Sequence, residues 1–248
     1  MSERRPGALQ RVPIDGTAVA YARAGAGVPV VLVHGNLASH RYWQELLASP
    51  PDGLELFAPD LPNFGASERL HGELTMRAYG QAMAAFLSAL DLDGVTLVGH
   101  SLGGAVAQAC AALAPGRVAR MLLVDSPAPS GFHAPEASLR GAEVLAAEPS
   151  EDARRAMIAQ ALPGVMPTRR PPYFDELVEE ALRIPPDAIV PNANALETMD
   201  LRDLVGAYPG PVLVLRGGRD ALVTEAMARA TVDAYGSQRS RAVTWEDV

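Results

Sequence analysis

Short, nearly unbroken apolar runs separated by longer stretches of helical periodicity constrain this chain more than any other feature. PVVLV at 29–33, LELFA at 54–58, VTLV at 95–98, VARMLLV at 118–124 and PVLVLR at 211–216 read as strands, as do 17–23 and 240–245. Several of these runs are apolar without alternation, which fits parallel strands covered on both faces. Helical patterns fall at 40–49, 75–90, 102–114 and 224–235. Thr75 is the expected N-cap of the second, with Met76, Tyr79, Met83, Phe86, Leu87 and Leu90 on one face. Ala-Pro-Gly at 114–116 stops the third. This alternation predicts an α/β fold with a mostly parallel sheet.

The rhythm breaks between Ser126 and Tyr208. That stretch holds 11 of the 21 prolines, and helical patterns at 137–147, 151–161, 173–183 and 186–199 follow one another with no strand between them. It reads as a helical cap, 127–205, inserted into an α/β core of 1–126 and 206–248. A chain of 248 residues suits one such unit.

Composition removes whole classes of function. The formal charge of −8 and a pI near 5.1 argue against nucleic acid as a partner. All 21 basic residues are arginine. With no lysine there is no P-loop, no Schiff-base amine and no Ser-Lys dyad. The single cysteine, Cys110, excludes a disulfide framework and a thiolate metal cluster, and reads as a small core residue. No H-E-x-x-H, C-x-x-C or G-x-G-x-x-G occurs, so no metal and no cofactor is expected. The start, MSERRPGALQ, has no apolar segment, and no run approaches ~18 apolar residues. The expectation is a cytoplasmic protein with no membrane partner.

One turn carries chemistry. Strand 95–98 runs into Gly99-His100-Ser101-Leu102-Gly103-Gly104, which opens the helix 102–114. G-x-S-x-G in a strand–turn–helix setting lifts a serine hydroxyl from the sheet on a strained backbone. The helix N-terminus behind it adds free N–H groups and partial positive charge. A plain glycine-rich turn with a capping serine is the alternative, and the flanking strand and helix count against it. Strand 29–33 likewise ends in His34-Gly35-Asn36, at the sheet edge where open α/β folds bind ligands. The N–H groups of Leu102 and Asn36 could form an oxyanion hole, while His34 reads as a buried turn residue bonded to backbone.

H-G-N at 34–36, D-L-P-N-F-G-A-S at 60–67, G-H-S-L-G-G at 99–104 and G-G-R-D at 217–220 together resemble the α/β-hydrolase superfamily over nearly the whole chain. The likeness is greatest to its bacterial esterase, perhydrolase and C–C hydrolase group with a helical cap. The resemblance implies a mostly parallel eight-stranded sheet with flanking helices. It assigns the nucleophile to Ser101, the oxyanion N–H groups to Asn36 and Leu102, the acid to Asp220, and pocket contacts to Leu37 and Val223. Asp125, ending strand 118–124, is a rival for the acid. Serine at 101 sets the chain apart from the haloalkane dehalogenases, whose nucleophile is aspartate. Asn63 stands where the family's D-x-x-G motif has glycine; asparagine also tolerates a left-handed backbone.

The family's order is Ser, acid, His. The histidines are His34, His40, His71, His100 and His133, all before Asp220. The sequence therefore reads as a chain cut before its catalytic histidine, with a pseudoenzyme or a displaced base at His133 as alternatives. If a covering helix is also missing, Val212, Val214 and Val243 are expected to lie uncovered. The reading is a cofactor-free serine hydrolase acting on an ester or related small acyl substrate. A perhydrolase or haloperoxidase, or a C–C bond hydrolase, is the alternative on the same scaffold. A non-catalytic ligand-binding protein is the alternative of another class.

Overall fold

The computed structural model describes residues 9–132, 136–164 and 170–246. Eight strands run through it: β1 (Gln10–Ile14), β2 (Thr17–Gly25), β3 (Val28–Val33), β4 (Leu54–Pro59), β5 (Val95–His100), β6 (Val118–Val124), β7 (Val212–Gly217) and β8 (Ser240–Trp245). They form one sheet in the order β1-β2-β4-β3-β5-β6-β7-β8. The β1–β2 and β2–β4 pairs are antiparallel and every other pair is parallel. Composition and periodicity give no sign of β1. It is short and holds Pro13, which donates no ladder bond and survives because β1 is an edge strand.

The helices are α1 (Gln44–Ala48), entered through a 3-10 turn at His40–Trp43, α2 (Met76–Ala89), α3 (Leu102–Leu113), α4 (Glu136–Ala147), α5 (Glu151–Ala161), α6 (Phe174–Leu182), α7 (Pro186–Glu197) and α8 (Glu225–Tyr235). Thr75 caps α2 by accepting from the Ala78 N–H at 3.0 Å. Helix α3 is apolar on every side and almost wholly buried, because α2 covers the face turned from the sheet. The two helices approach closely at Gly80, where a Cβ would come within 2.5 Å of the Ala109 Cβ. Cys110 is buried there, and desolvation raises its thiol to about 12, so it is unreactive packing.

Helices α4–α7 follow one another between β6 and β7 with no strand among the described residues. Their deepest tie to the rest is the Tyr79 hydroxyl, which donates to Asn192 Oδ1 on α7 at 2.6 Å and accepts from Asn63 Nδ2 at 2.9 Å. Asn63 has φ 70°, a left-handed backbone, so the residue that replaces the expected glycine keeps the turn and gains a cross-link. Exposed pairs such as Arg69–Asp187 and Arg77–Asp203 join the same layers at 2.7 and 2.8 Å but contribute little.

One face of the sheet is covered at β5 and opens progressively over β6–β8. Strand pairing aligns Val98, Leu122, Leu213 and Arg241 in one row and His100, Val124, Leu215 and Val243 in the next. Leu122, Val124, Leu213 and Leu215 are only half-buried, while Val243 and Trp245 are 44% and 66% exposed. Val212 and Val214 are instead buried in the main core with Ala228 and Tyr235. The expectation was right for Val243 and wrong for the other two, because side chains alternate and their parity turns them toward α8. Among the described residues no helix is long and apolar enough to cross a membrane.

Candidate active site

The order of strands reverses at β3, with β4 on one side and β5 on the other. The loops leaving β3 and β5 therefore lie at the carboxyl edge of the switch point, the place where such sheets take ligands. Ser101 stands there with φ 52° and ψ −123°, between the end of β5 and the first residue of α3. That backbone is costly for a residue with a Cβ. The turn is pinned by the Ser101 N–H donating to Val124 O at 3.0 Å and the Gly104 N–H donating to Ser101 O at 2.8 Å.

Packing explains the glycines. A Cβ on Gly103 would lie 2.3 Å from His34 O, and one on Gly99 would lie 2.3 Å from Gly103 O. The first turn of α3 thus presses against the end of β3, bringing the His34–Leu37 loop beside Ser101. Leu102 is fully buried at the first position of α3, where its N–H has no acceptor within the helix. Asn36 and Leu37 are half-buried, and Leu37 (φ 52°) packs on the main core.

His34 is buried and bonded to backbone through both nitrogens: Nδ1 to Gly35 O at 2.8 Å and Nε2 accepting from the Leu61 N–H at 3.0 Å. Desolvation brings it down to about 4, against the pull of Asp60. Asp60 is a buried hub, accepting from the His40 N–H at 2.6 Å and the Ala66 N–H at 2.8 Å and pairing with His40 Nδ1 at 2.8 Å. Burial alone would raise its carboxyl; these partners outweigh that and bring it below the usual range.

Asp220 follows β7 in a tightly made loop. Its Oδ1 accepts from the N–H groups of Leu222 and Val223 at 2.7 and 3.0 Å. Arg216, a cation in an apolar strand, braces the loop by donating to Val223 O at 2.8 Å and Asp220 O at 3.2 Å. The Val223 side chain is buried. Asp125 arrives from β6 with φ 44°, its Oδ1 accepting from the Gly217 N–H at 2.8 Å. Burial first, and then the Asp220 charge, push the Asp125 carboxyl above its ordinary range against the pull of the Gly217 N–H. Sequence reasoning set Asp125 and Asp220 as rivals; the fold brings them together.

His100 and Tyr42 complete this corner and carried no signal in the sequence. Their rings stack at 4.6 Å, with the Tyr42 hydroxyl 3.3 Å from His100 Nε2. Desolvation lowers His100 to about 4 in spite of the Asp220 charge, so it is neutral near pH 7. Burial first, and then the Asp125 charge, push the Tyr42 hydroxyl well above its ordinary value. His133 lies outside the described residues. Among the described residues no group of three His, Cys, Asp or Glu side chains is arranged to hold a metal ion.

The family model for the alpha/beta hydrolase fold matches residues 28–165. A 2-hydroxy-6-oxo-2,4-heptadienoate hydrolase from Pseudomonas putida is 38% identical over 106 residues, 41% of this chain and 38% of that protein. The dihydrolipoyllysine-residue acetyltransferase component of an acetoin cleaving system, also from Pseudomonas putida, is 31% identical over 233 residues, 90% of this chain and 60% of that one. The chain spans less than two thirds of the length of these curated relatives. In three dimensions a thermophilic esterase from Thermogutta terrifontis matches with a TM-score of 0.76 and 27% identity, covering 97% of this chain and 90% of that one.

Proposed function

The chain belongs to the α/β-hydrolase family, and from that premise we propose that it is a serine hydrolase cleaving an ester or related small acyl substrate through an acyl-enzyme on Ser101. The observation that carries the reading is the backbone of Ser101, a non-glycine residue held at φ 52° and ψ −123° on a helix N-terminus at the carboxyl edge of the sheet. Strain of this kind is kept where a side chain must be presented rather than packed. The Ser101 hydroxyl attacks the acyl carbonyl, and the N–H groups of Leu102 and Asn36 receive the charge that develops on its oxygen. Helices α4–α7 serve as the cap that shapes the pocket, with Leu37 and Val223 near its base.

A serine hydroxyl needs a base, and Asp220 is the carboxylate that would orient one. His34, His40 and His100 are engaged with Gly35 and Leu61, with Asp60 and with Tyr42. His71 is exposed on the loop before α2. The reading therefore assigns the imidazole to a residue outside the described ones, His133 included. In the resting cycle Ser101 loses its proton to that imidazole on attack, and the leaving group takes it back.

The test uses the 248-residue chain with p-nitrophenyl acetate and added imidazole. A base supplied from solution should raise turnover, saturably, above the rate of imidazole alone, and Ser101→Ala should return it to the imidazole-only rate. Equal rates for the parent chain and Ser101→Ala would overturn the reading and favour a ligand-binding protein.

A further inference from the structure

Strand β7 is apolar until its last turn toward the site. Val212, Leu213, Val214 and Leu215 are followed by Arg216, which is half-buried. A cation held partly away from water needs acceptors, and Arg216 takes them from the loop that follows its own strand. Its Nε donates to Val223 O at 2.8 Å and its Nη2 to Asp220 O at 3.2 Å. Between those two carbonyls the loop closes on itself. Asp220 Oδ1 accepts from the N–H groups of Leu222 and Val223, and the Asp220 N–H donates to Gly217 O at 3.1 Å.

Gly217 and Gly218 open this loop, and two glycines in succession leave the chain after them free to turn. Their own N–H groups are tied to the neighbouring strands, Gly217 to Asp125 Oδ1 and Gly218 to Trp245 O, both at 2.8 Å. The segment from Asp220 to Val223 is tied to β7 by Arg216. A guanidinium is planar and presents its N–H groups as a rigid fork, so two carbonyls bound to one fork are held at a fixed separation. A lysine would offer a point charge on a mobile stem and no fork. Asp220 Oδ1 is occupied by two backbone donors from the same segment. Fixing the backbone at 220 and 223 therefore also fixes the carboxylate, and leaves Oδ2 as the oxygen to meet a base. The buried Val223 side chain is set by the same bonds.

Resting on the reading of Asp220 as the acid, we propose that Arg216 is a positioning residue: its fork, closed on Asp220 O and Val223 O, sets the direction in which the Asp220 carboxylate meets the base. It acts on turnover only through Asp220. The arrangement accounts for a charged residue at the end of an apolar strand. It also places the acid and a proposed pocket contact, Val223, under one side chain.

The experiment compares the 248-residue chain with Arg216→Met and Arg216→Lys. Amide hydrogen exchange is read first. Arg216→Met should speed exchange at Leu222 and Val223 roughly tenfold, the scale of one hydrogen bond to a charged donor, while the α8 amides keep their protection and show that the fold stands. Unmoved Leu222 and Val223 amides would overturn the proposal. Imidazole-assisted turnover of p-nitrophenyl acetate is read second. Arg216→Met should lose roughly ten- to a hundredfold in kcat, the scale of a ~1 Å misplacement, with the KM for the ester little changed. In an Asp220→Asn background it should lose nothing further, because both changes break one arrangement. Arg216→Lys should fall between parent and Arg216→Met. Additive losses in the double variant, or Arg216→Lys equal to the parent, would show an effect of fold or of charge alone and overturn the proposal. If Arg216→Met does not fold, Arg216→Lys carries the same comparison, since it keeps the charge without the fork. Ser101→Ala as fast as the parent would overturn the hydrolase reading instead, and the exchange of Leu222 and Val223 still tells whether the fork holds the loop.

Discussion

Ser101→Gly should make this protein more stable while removing its proposed nucleophile, and Ser101→Ala should not. Both variants delete the hydroxyl, so they differ only in the Cβ. At φ 52° and ψ −123° a residue with a Cβ carries strain on the order of 1–3 kcal/mol, whereas glycine carries little. Glycine also gains freedom in the unfolded chain, which costs about 0.4–1 kcal/mol of stability. Ser101 is half-buried, so losing its Cβ opens little space. The balance favours glycine over alanine by about 1–2 kcal/mol. At roughly 2–4 °C per kcal/mol for a chain of this size, the two melting temperatures should differ by several degrees. Urea unfolding of both variants, followed by tryptophan fluorescence and circular dichroism, gives the difference directly if the slopes agree. Ser101→Gly equal to or below Ser101→Ala would show that the elbow stores no strain, and the argument from strain to presentation would go with it.

Two further outcomes follow from buried groups. His34 and His100 both titrate near 4 when folded and near 6.5 when unfolded, so the unfolded chain takes up protons first and stability is lost as pH falls through that window. Each should cost about 2 kcal/mol between pH 7 and pH 5, measured by urea midpoints; the raised Asp125 works in the opposite sense, since folding binds its proton, and a flat profile would contradict the neutral buried imidazoles. Tyr79→Phe removes the hydroxyl that both Asn63 and Asn192 use, leaving buried amide groups unpaired, and should cost about 2–4 kcal/mol and speed proteolysis within 170–200; unchanged stability would show that this cross-link does not hold α7 to the core.

Much of the fold is local and was legible. The runs that become β3 to β5 are apolar on both faces because layers cover both, and the helical spans that follow the strands appear within a residue or two of their expected bounds. Thr75 caps α2 as its side chain requires. The excursion of α4–α7 was marked by prolines and by the absence of any strand-like run. What failed was whatever depended on a partner. Strand β1 has no hydrophobic signature, since its five residues are held by pairing with β2. The parity of Val212 and Leu213 is invisible in a run where both are apolar, so which of them meets α8 had to come from the register.

The same division runs through the site. The sequence alone determined where Ser101 stands, because strand, glycine turn and helix start are contiguous and their spacing imposes the strained backbone. It also determined that Asp125 and Asp220 each follow an apolar strand. Only the tertiary structure decided what those carboxylates are to each other, because adjacency of β6 and β7 is a property of the sheet order and not of either segment. Only it brought Tyr42 onto His100 and buried the imidazole, turning a histidine beside the serine into a neutral packing group. A side chain's chemistry is set by its type, but its charge state is set by neighbours and solvent, and those are assembled when the sheet closes around them.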